Sequence, residues 1–116
     1  MAYASSVLFF WRIMNLEDIF IKIEEVSRLM YMNEVTNAYN MLAECMPYIT
    51  EHMNAFINNI PKYNELGADI PQNVVLTQIS NLFDGIKNKD VLLIADTLKY
   101  EILPSLQVYS EISAQI

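Results

Sequence analysis

The sequence has little glycine, histidine and cysteine, and each shortage excludes a class of binding site. Only two of its 116 residues are glycines, Gly67 and Gly85, so no glycine-rich loop can cradle a nucleotide phosphate. One histidine, His52, and one cysteine, Cys45, cannot supply a Cys/His zinc site, and a di-iron bundle needs two Glu-x-x-His pairs. We therefore expect no metal and no cofactor.

Positive charge is also scarce. Seven Lys and Arg residues stand against fourteen Asp and Glu residues, which gives a net charge of −7, and residues 29–61 contain no Lys or Arg. Such a surface repels phosphate groups, so we expect no nucleic acid partner. No apolar run approaches the roughly 18 residues that span a bilayer. We therefore expect no membrane insertion.

The sequence features that report on location point to the cytoplasm. The apolar residues 7–11 follow no basic region and are interrupted at once by Arg12, which is unlike a signal peptide. Cys45 lies in an apolar run, as is typical of a buried free thiol in a reducing compartment. The predicted location is therefore cytoplasmic.

Apolar residues are abundant, and their spacing is helical along nearly the whole chain. They make up 53% of the sequence, enough for residues 1–116 to form one domain with a core of its own. The clearest helical stripe contains Val35, Ala38, Leu42, Met46, Ile49, Met53, Phe56 and Ile60. Pro47 lies on the opposite, polar stripe, where water can satisfy the carbonyl of Ala43 that the proline leaves free. We predict a bend near Pro47 within a continuous helix.

Three further segments have helical patterns, and no segment alternates like a strand. Asp90 is placed to cap a helix that contains Pro104, while Asp69 and Gln72 have the spacing of a capping box with Pro71 in the first turn. The apolar stripe of the last helix contains Leu92, Ala95, Leu98, Ile102, Leu106, Tyr109 and Ile112. The predicted helices span residues 6–31, 34–60, 70–87 and 90–114. This pattern predicts an all-α antiparallel four-helix bundle whose second and fourth helices bend at their prolines.

The two halves of the sequence resemble each other, which raises the hypothesis of an internal repeat of one helical hairpin. An offset of 57 residues pairs Asn33 with Asp90 as caps, Ala38 with Ala95, Glu44 with Glu101 and Pro47 with Pro104. An offset of 56 instead pairs Ile23 with Ile79. Leu42 falls opposite Lys99 at the larger offset, which spoils the register. The alternative is that any two helical hairpins align this well.

The N-terminal residues allow two interpretations. Ser5 or Ser6 can cap one long helix, so that residues 1–14 form an apolar extension of it, or Asn15 can cap a shorter helix. We favour the long helix, which leaves an apolar patch facing outward, and we predict that this patch binds a second copy in a homodimer. The patch consists of Val7, Phe10, Trp11 and Met14. A rival interpretation places the true start at Met14.

No catalytic group is evident. Glu44 and Glu101 each precede a helix proline by three residues, but both lie on polar stripes, where carboxylates keep their ordinary acidity. We therefore predict that the protein is not an enzyme. The alternative is a small ligand-binding or hydrolytic bundle that uses Glu44, Glu101 and His52.

Methionine and tyrosine are frequent and indicate a protein-binding surface. Flexible methionines are typical of grooves that accept another helix, and tyrosines beside a core can keep their hydroxyls in water. The competing interpretation is that the methionines fill the core. The residues concerned are Met30, Met32, Met41, Met46 and Met53, with Tyr31, Tyr39, Tyr48, Tyr63, Tyr100 and Tyr109.

Residues 87–107 read KNKDVLLIADTLKYEILPSLQ. This segment resembles the C-terminal part of small uncharacterised all-helical proteins of Gram-positive anaerobic bacteria, in which NKD precedes LLADxLxYExxPxL. The resemblance extends over residues 15–107, departs at Val91 and leaves out the first thirteen residues. It carries an association with motility and implies no activity. We therefore expect a non-catalytic interaction module, a small cytoplasmic adaptor or chaperone-like bundle, linked to motility or export, that holds an amphipathic segment of another protein.

Overall fold

The computed structural model describes residues 15–115, and every regular element in that range is a helix. Four helices pack together around one apolar core, which confirms the all-α prediction. The first three are α1 (Leu16–Tyr31), α2 (Val35–Glu65) and α3 (Gln72–Lys87). The fourth helix runs without interruption through α4 (Val91–Thr97), a π-helical turn (Leu98–Ile102) and α5 (Leu103–Gln115). Helix α1 packs against α2 and against all three parts of the fourth helix.

Helix α1 begins at Asn15, so the favoured prediction of one helix over residues 6–31 is wrong. Asn15 has extended backbone angles, φ −86° and ψ 178°, through which an α-helix cannot continue. Its side chain accepts from the N–H of Asp18 at 3.0 Å, and the Asp18 carboxylate accepts from the N–H of Asn15 at 3.2 Å. This reciprocal capping box satisfies two free amides at the helix start and confirms the shorter alternative.

Helix α2 is longer than predicted because it continues through both of its prolines. It passes Pro47, as expected, and then passes Pro61 to end at Glu65 instead of residue 60. Pro61 has no N–H for the carbonyl of Ile57, and the side-chain amide of Gln72 donates to that carbonyl at 3.0 Å instead. A side chain outside the helix thus replaces the hydrogen bond that Pro61 removes.

The capping box predicted for α3 is absent because the N-cap lies two residues after Asp69. Pro71 is the N-cap of α3 and not part of its first turn, and no side chain caps this helix. Gln72 is therefore the first residue of the helix and not the third residue after its N-cap, as a capping box requires, and its side-chain amide donates to α2. The connecting loop is held by Asn64, whose side chain bonds both the N–H and the C=O of Ile70 at 2.9 and 3.0 Å.

Most residues of the predicted core stripes are buried, Leu92 is exposed, and four are partly buried, namely Val35, Met46, Tyr109 and Ile112. Phe56, Ile49 and Leu98 are among the side chains with almost no exposure. Leu92 is 63% exposed although it was assigned to the core stripe, because Ile94 faces the core in its place. The prediction for Leu92 is therefore wrong by two positions.

The turn after α1 and the turn after α3 make the same hydrogen bonds at an offset of 56 residues. Glu34 N–H donates to the Leu29 carbonyl at 2.8 Å, and Asp90 N–H donates to the Gly85 carbonyl at 2.9 Å. The middle residues, Asn33 and Lys89, are left-handed with φ of 61° and 53°. The N-caps are therefore Glu34 and Asp90, and the expected pairing of Asn33 with Asp90 as caps is wrong.

The π-helical turn changes the offset at which buried residues of the two halves correspond. A π turn holds one residue more than an α turn, and here the N–H of Leu103 donates to the carbonyl of Leu98, five residues back. Before this turn the offset is 56, which places buried Leu98 opposite buried Leu42. After it the offset is 57, which places Leu106 opposite Ile49, both without exposure. The one additional residue of the π turn accounts for this change, whereas the pairing of Ala38 with Ala95 at the offset of 57 lies before the turn and is not explained by it.

Candidate functional site

Two surface grooves meet at the side chain of Tyr100, which the π-helical turn presents to solvent with 64% exposure. The first, which we call the tyrosine groove, lies between α1 and the fourth helix. The second, which we call the acidic groove, lies between the start of α3 and α5. Because an extra residue in a π turn changes which side chains point outward, such turns are frequent at functional sites.

The tyrosine groove has a volume of about 490 Å³ and is built around a lysine between two aromatic rings. The Lys99 ammonium lies 5.6 Å from the centre of the Tyr31 ring and 5.2 Å from that of the Tyr100 ring. Both distances are within the range of cation–π attraction. The groove is lined by Glu24, Ser27, Arg28, Tyr31, Met32, Lys99, Tyr100 and Leu103.

Hydrogen bonds between α1 and the fourth helix hold the tyrosine groove in shape. The buried Ser27 hydroxyl donates to the carbonyl of Ala95 at 3.2 Å. The Tyr31 hydroxyl donates to the carboxylate of Asp96. Removal of this hydroxyl from water, together with that hydrogen bond and the nearby negative charge, raises the pKa of Tyr31 to about 12. Tyr31 is therefore a neutral donor in the physiological pH range.

Arg28 forms the outer edge of the tyrosine groove. Its Nε donates to Oε2 of Glu25 at 2.9 Å, and its Nη1 donates to the sulfur of Met32 at 2.9 Å. The hydrogen bond and charge of Glu25 raise the pKa of Arg28, while those of Arg28 lower the pKa of Glu25. Both remain charged, so most of the positive charge of Arg28 is matched within α1.

The acidic groove has a volume of about 320 Å³ and apolar walls. The buried side chains of Phe56 and Val75 contribute to its lining, while Asp69 and Glu101 supply negative charge. Its full lining is Phe56, Asp69, Ile70, Pro71, Val74, Val75, Gln78, Tyr100, Glu101, Pro104, Ser105 and Val108. No Lys or Arg side chain is among these residues, so a cation can be accepted beside an apolar surface.

The two grooves collect much of the exposed apolar surface. Within residues 15–115, ten large apolar side chains are exposed, and five of them line these grooves. The five are Tyr31, Met32, Val74, Tyr100 and Val108. An apolar concentration of this kind around a concave surface is typical of a binding site.

The structure does not place the predicted acid, base and histidine in one of these grooves. Glu101 is half-buried in the acidic groove, but neither Glu44 nor His52 contributes to its lining. Glu44 is exposed on α2, and the half-buried His52 ring lies 6.2 Å from the ring of Tyr109. Burial lowers the pKa of His52. The hydrolytic alternative therefore stays a prediction without support from this geometry.

Most of the methionines belong to the core instead of a binding surface. Met30 and Met53 are buried, and Met41 and Met46 pack against the core. Met32 alone of these five is exposed, at 57%, and it lines the tyrosine groove. The interpretation of methionine as core filling therefore applies to four of the five.

The remaining predicted sites can be located as follows. Val7, Phe10, Trp11 and Met14 lie outside the described residues. Cys45 is a buried free thiol, and burial raises its pKa to about 11.

In the part of the chain that the structure describes, no cluster of His, Cys, Asp and Glu could hold a metal ion. None of the helices over that same range is long and apolar enough to cross a membrane.

Sequence reasoning missed the grooves because they depend on how distant helices pack. Lys99 and Tyr100 appear as ordinary polar and boundary positions of an amphipathic helix, and their contact with Tyr31 bridges more than 65 residues of sequence. The sequence signal that comes nearest is the conflict between the offsets of 56 and 57, which indicates an irregularity in the second half but does not locate it at Leu98–Ile102.

Comparison with known proteins gives a family without an assigned function. No curated protein and no solved structure matches the chain. Residues 15–112 match a family model described as "Domain of unknown function (DUF8042)". The match starts at the N-cap of α1 and includes every residue that lines the two grooves. Because it covers most of the 116 residues, the chain belongs to this family of domains of unknown function.

Proposed function

We propose that this protein is a non-catalytic interaction module, a small cytoplasmic adaptor or chaperone-like bundle that holds an amphipathic segment of another protein. The segment binds along the tyrosine groove and the acidic groove, with Tyr100 between them. The observation that carries the proposal is the placement of five of the ten exposed large apolar side chains in these two grooves. Burying apolar surface of this kind is the main favourable term in most protein association.

The proposed architecture is an antiparallel four-helix bundle. Its support is the brevity of the turns at residues 32–34 and 88–90, because helices joined by so few residues pack side by side in opposite directions. Helices packed in this way leave grooves between their ridges, into which the ridge of a further helix fits. An export or motility client is proposed on the resemblance of residues 87–107 alone.

Site-specific photo-crosslinking tests the proposed function. A benzophenone amino acid replaces Tyr100 in the protein produced in its native cells, and the matched control replaces Ile21. Ile21 is 66% exposed on α1 and lines neither groove. We expect Tyr100 to yield a discrete crosslinked product that excess unlabelled protein competes away and that Ile21 does not yield. Equal products from both positions would show that the grooves have no special role.

The homodimer through Val7, Phe10, Trp11 and Met14 also stays a proposal. The argument from a continuous helix no longer supports it, since α1 begins at Leu16. The remaining support is the apolar composition of residues 7–11, which contains the single tryptophan. Sedimentation at micromolar concentration tests it, because removal of residues 1–13 should convert the dimer to a monomer. An unchanged mass after this deletion would contradict the proposal.

A further inference from the structure

The two grooves on either side of Tyr100 differ in the charges that line them. The tyrosine groove is lined by the cations Arg28 and Lys99 against one acid, Glu24. The acidic groove is lined by Asp69 and Glu101 and by no cation. Glu25 pairs with Arg28, so the charges of the tyrosine groove that lie outside an ion pair are Lys99 and Glu24. A cation without an ion pair thus lies on one side of Tyr100 only, which defines a direction across the binding surface.

Lys99 and Glu101 lie directly before and after Tyr100 in the sequence, and neither is part of an ion pair. Arg28 is matched by Glu25, and this is the one ion pair within 4 Å among residues 15–115. The Lys99 ammonium instead rests against the rings of Tyr31 and Tyr100, which hold it at the groove without neutralising it. Glu101 is half-buried beside apolar side chains. Both charges are therefore available to a ligand.

We infer that the segment held in these grooves is an amphipathic helix of a partner protein that carries an acidic side chain on one side of its apolar anchors and a basic side chain on the other. The acidic group pairs with Lys99, the basic group pairs with Glu101, and the apolar anchors contact Tyr100 between them. This inference rests on the proposed function, and it adds the charge pattern of the partner. A purely cationic helix is the occupant that net charge alone would select.

Three labelled model peptides distinguish these occupants. Each is a 14-residue amphipathic helix with the same apolar face and two variable positions seven residues apart, about 10 Å along the helix. The variable positions carry Glu and Lys, Glu and Glu, or Lys and Lys. Because a model helix can dock in either direction, the Glu/Lys peptide can take the one direction that places its Glu at Lys99 and its Lys at Glu101. Binding is measured by fluorescence anisotropy at about 0.15 M salt, where long-range attraction is screened.

We expect the unmodified protein to bind the Glu/Lys peptide about two- to fivefold more tightly than either other peptide, as is usual for partly exposed ion pairs. The variant Lys99→Glu should shift the preference to Lys/Lys, and Glu101→Lys should shift it to Glu/Glu. The matched controls are Lys87→Glu and Glu111→Lys, which make the same charge changes at exposed positions outside both grooves. These controls should leave the order of the peptides unchanged.

The outcomes separate this inference from the proposed function. Equal binding of all three peptides, or tightest binding of Lys/Lys by the unmodified protein, would overturn the inferred charge pattern. If the peptides that bind lose affinity for the variant Tyr100→Ala, docking in the grooves would still be supported. Failure of every peptide to bind at millimolar concentration would count against the grooves as a helix-binding surface, and hence against both. Circular dichroism on each variant checks that the fold is retained.

Discussion

The first helix pair consists of α1 and α2, and the second consists of α3 and the fourth helix. The turns within the two pairs make the same hydrogen bonds, but the long helices differ in how they accommodate a proline. Pro47 and Pro104 both lack the N–H that an interior helix position supplies, and both are exposed. The helix around Pro47 stays α-helical, whereas a π turn precedes Pro104. A missing N–H is therefore not sufficient to produce the π turn.

The outer faces of the two pairs also differ. On α1 the buried Ser27 lets the fourth helix approach closely enough for a hydrogen bond to the Ala95 carbonyl. The equivalent position on α3, at an offset of 56, is Phe83, which is 46% exposed. The first pair thus uses this face to bind the second, while the second pair leaves the same face open. The tyrosine groove lies along the joined face, where the π turn meets α1.

Deleting one residue from each long helix gives the largest expected effect. Removing Ala43 should unfold the protein, because the buried face beyond it turns by about 100° relative to the core. Removing Tyr100 should retain cooperative thermal unfolding, since the π turn then closes into a regular α turn and the buried residues that follow keep their places. The variant Tyr100→Ala controls for loss of the ring. Equal damage from both deletions would contradict the interpretation of the π turn as an insertion.

Truncation of Leu42 and Leu98 tests the equivalence of the two pairs before the π turn. Both side chains are at most 2% exposed, so replacement of either by alanine should lower the free energy of unfolding by about 2–5 kcal/mol. Lys99 would be the partner of Leu42 at the offset of 57, and it is exposed. The variant Lys99→Ala should therefore cost about 1 kcal/mol at most, which is the size of an exposed cation–π contribution and well below the cost of removing a buried leucine. Chemical denaturation measures all three, and a small cost at Leu98 would invalidate the offset of 56.

The sequence predicted the helices well because apolar periodicity reports burial directly. The stripes through Ile19, Ile23, Ile49 and Leu106 are buried as expected. Helix ends were predicted less well where a distant group decides them. The extension past Pro61, for example, depends on Gln72, which donates to the carbonyl that the proline leaves free.

The candidate site could not be predicted in this way. Tyr31, Lys99 and Tyr100 form a groove only once α1 packs on the fourth helix, and local patterns do not specify that packing. The start of the first helix is likewise not decided by spacing. Asn15, Ser5 and Ser6 are all good capping residues, so the sequence allows a helix to begin after any of them.

The helix caps distinguish the two pairs by a smaller amount. Asp90 accepts from the N–H of Leu93 at 3.1 Å, whereas the equivalent Glu34 makes no side-chain cap because its carboxylate is one methylene further from the backbone. Asp90→Ala should therefore cost about 1 kcal/mol, and Glu34→Ala should cost almost nothing. Glu34→Asp should stabilise the first pair by several tenths of a kcal/mol. Denaturation midpoints measure these changes, and a large loss on Glu34→Ala would show that its side chain stabilises the turn in another way.

The smallest expected effect is a pH dependence of stability that comes from His52. The His52 ring lies 6.2 Å from the ring of Tyr109, which is also the residue that corresponds to His52 at the offset of 57. Burial lowers the pKa of His52 in the folded protein below its ordinary value of 6.5, so the unfolded chain binds a proton at a higher pH than the folded protein does. Stability should therefore fall as the pH drops below about 6.5, and the loss should be complete below the folded pKa. The variant His52→Gln keeps every carboxylate and removes this contribution alone. The free energy of unfolding at pH 8 and at pH 5.5 should thus differ more for the unmodified protein than for His52→Gln, and an equal difference would show that the His52 ring is as well hydrated in the folded protein as in the unfolded chain.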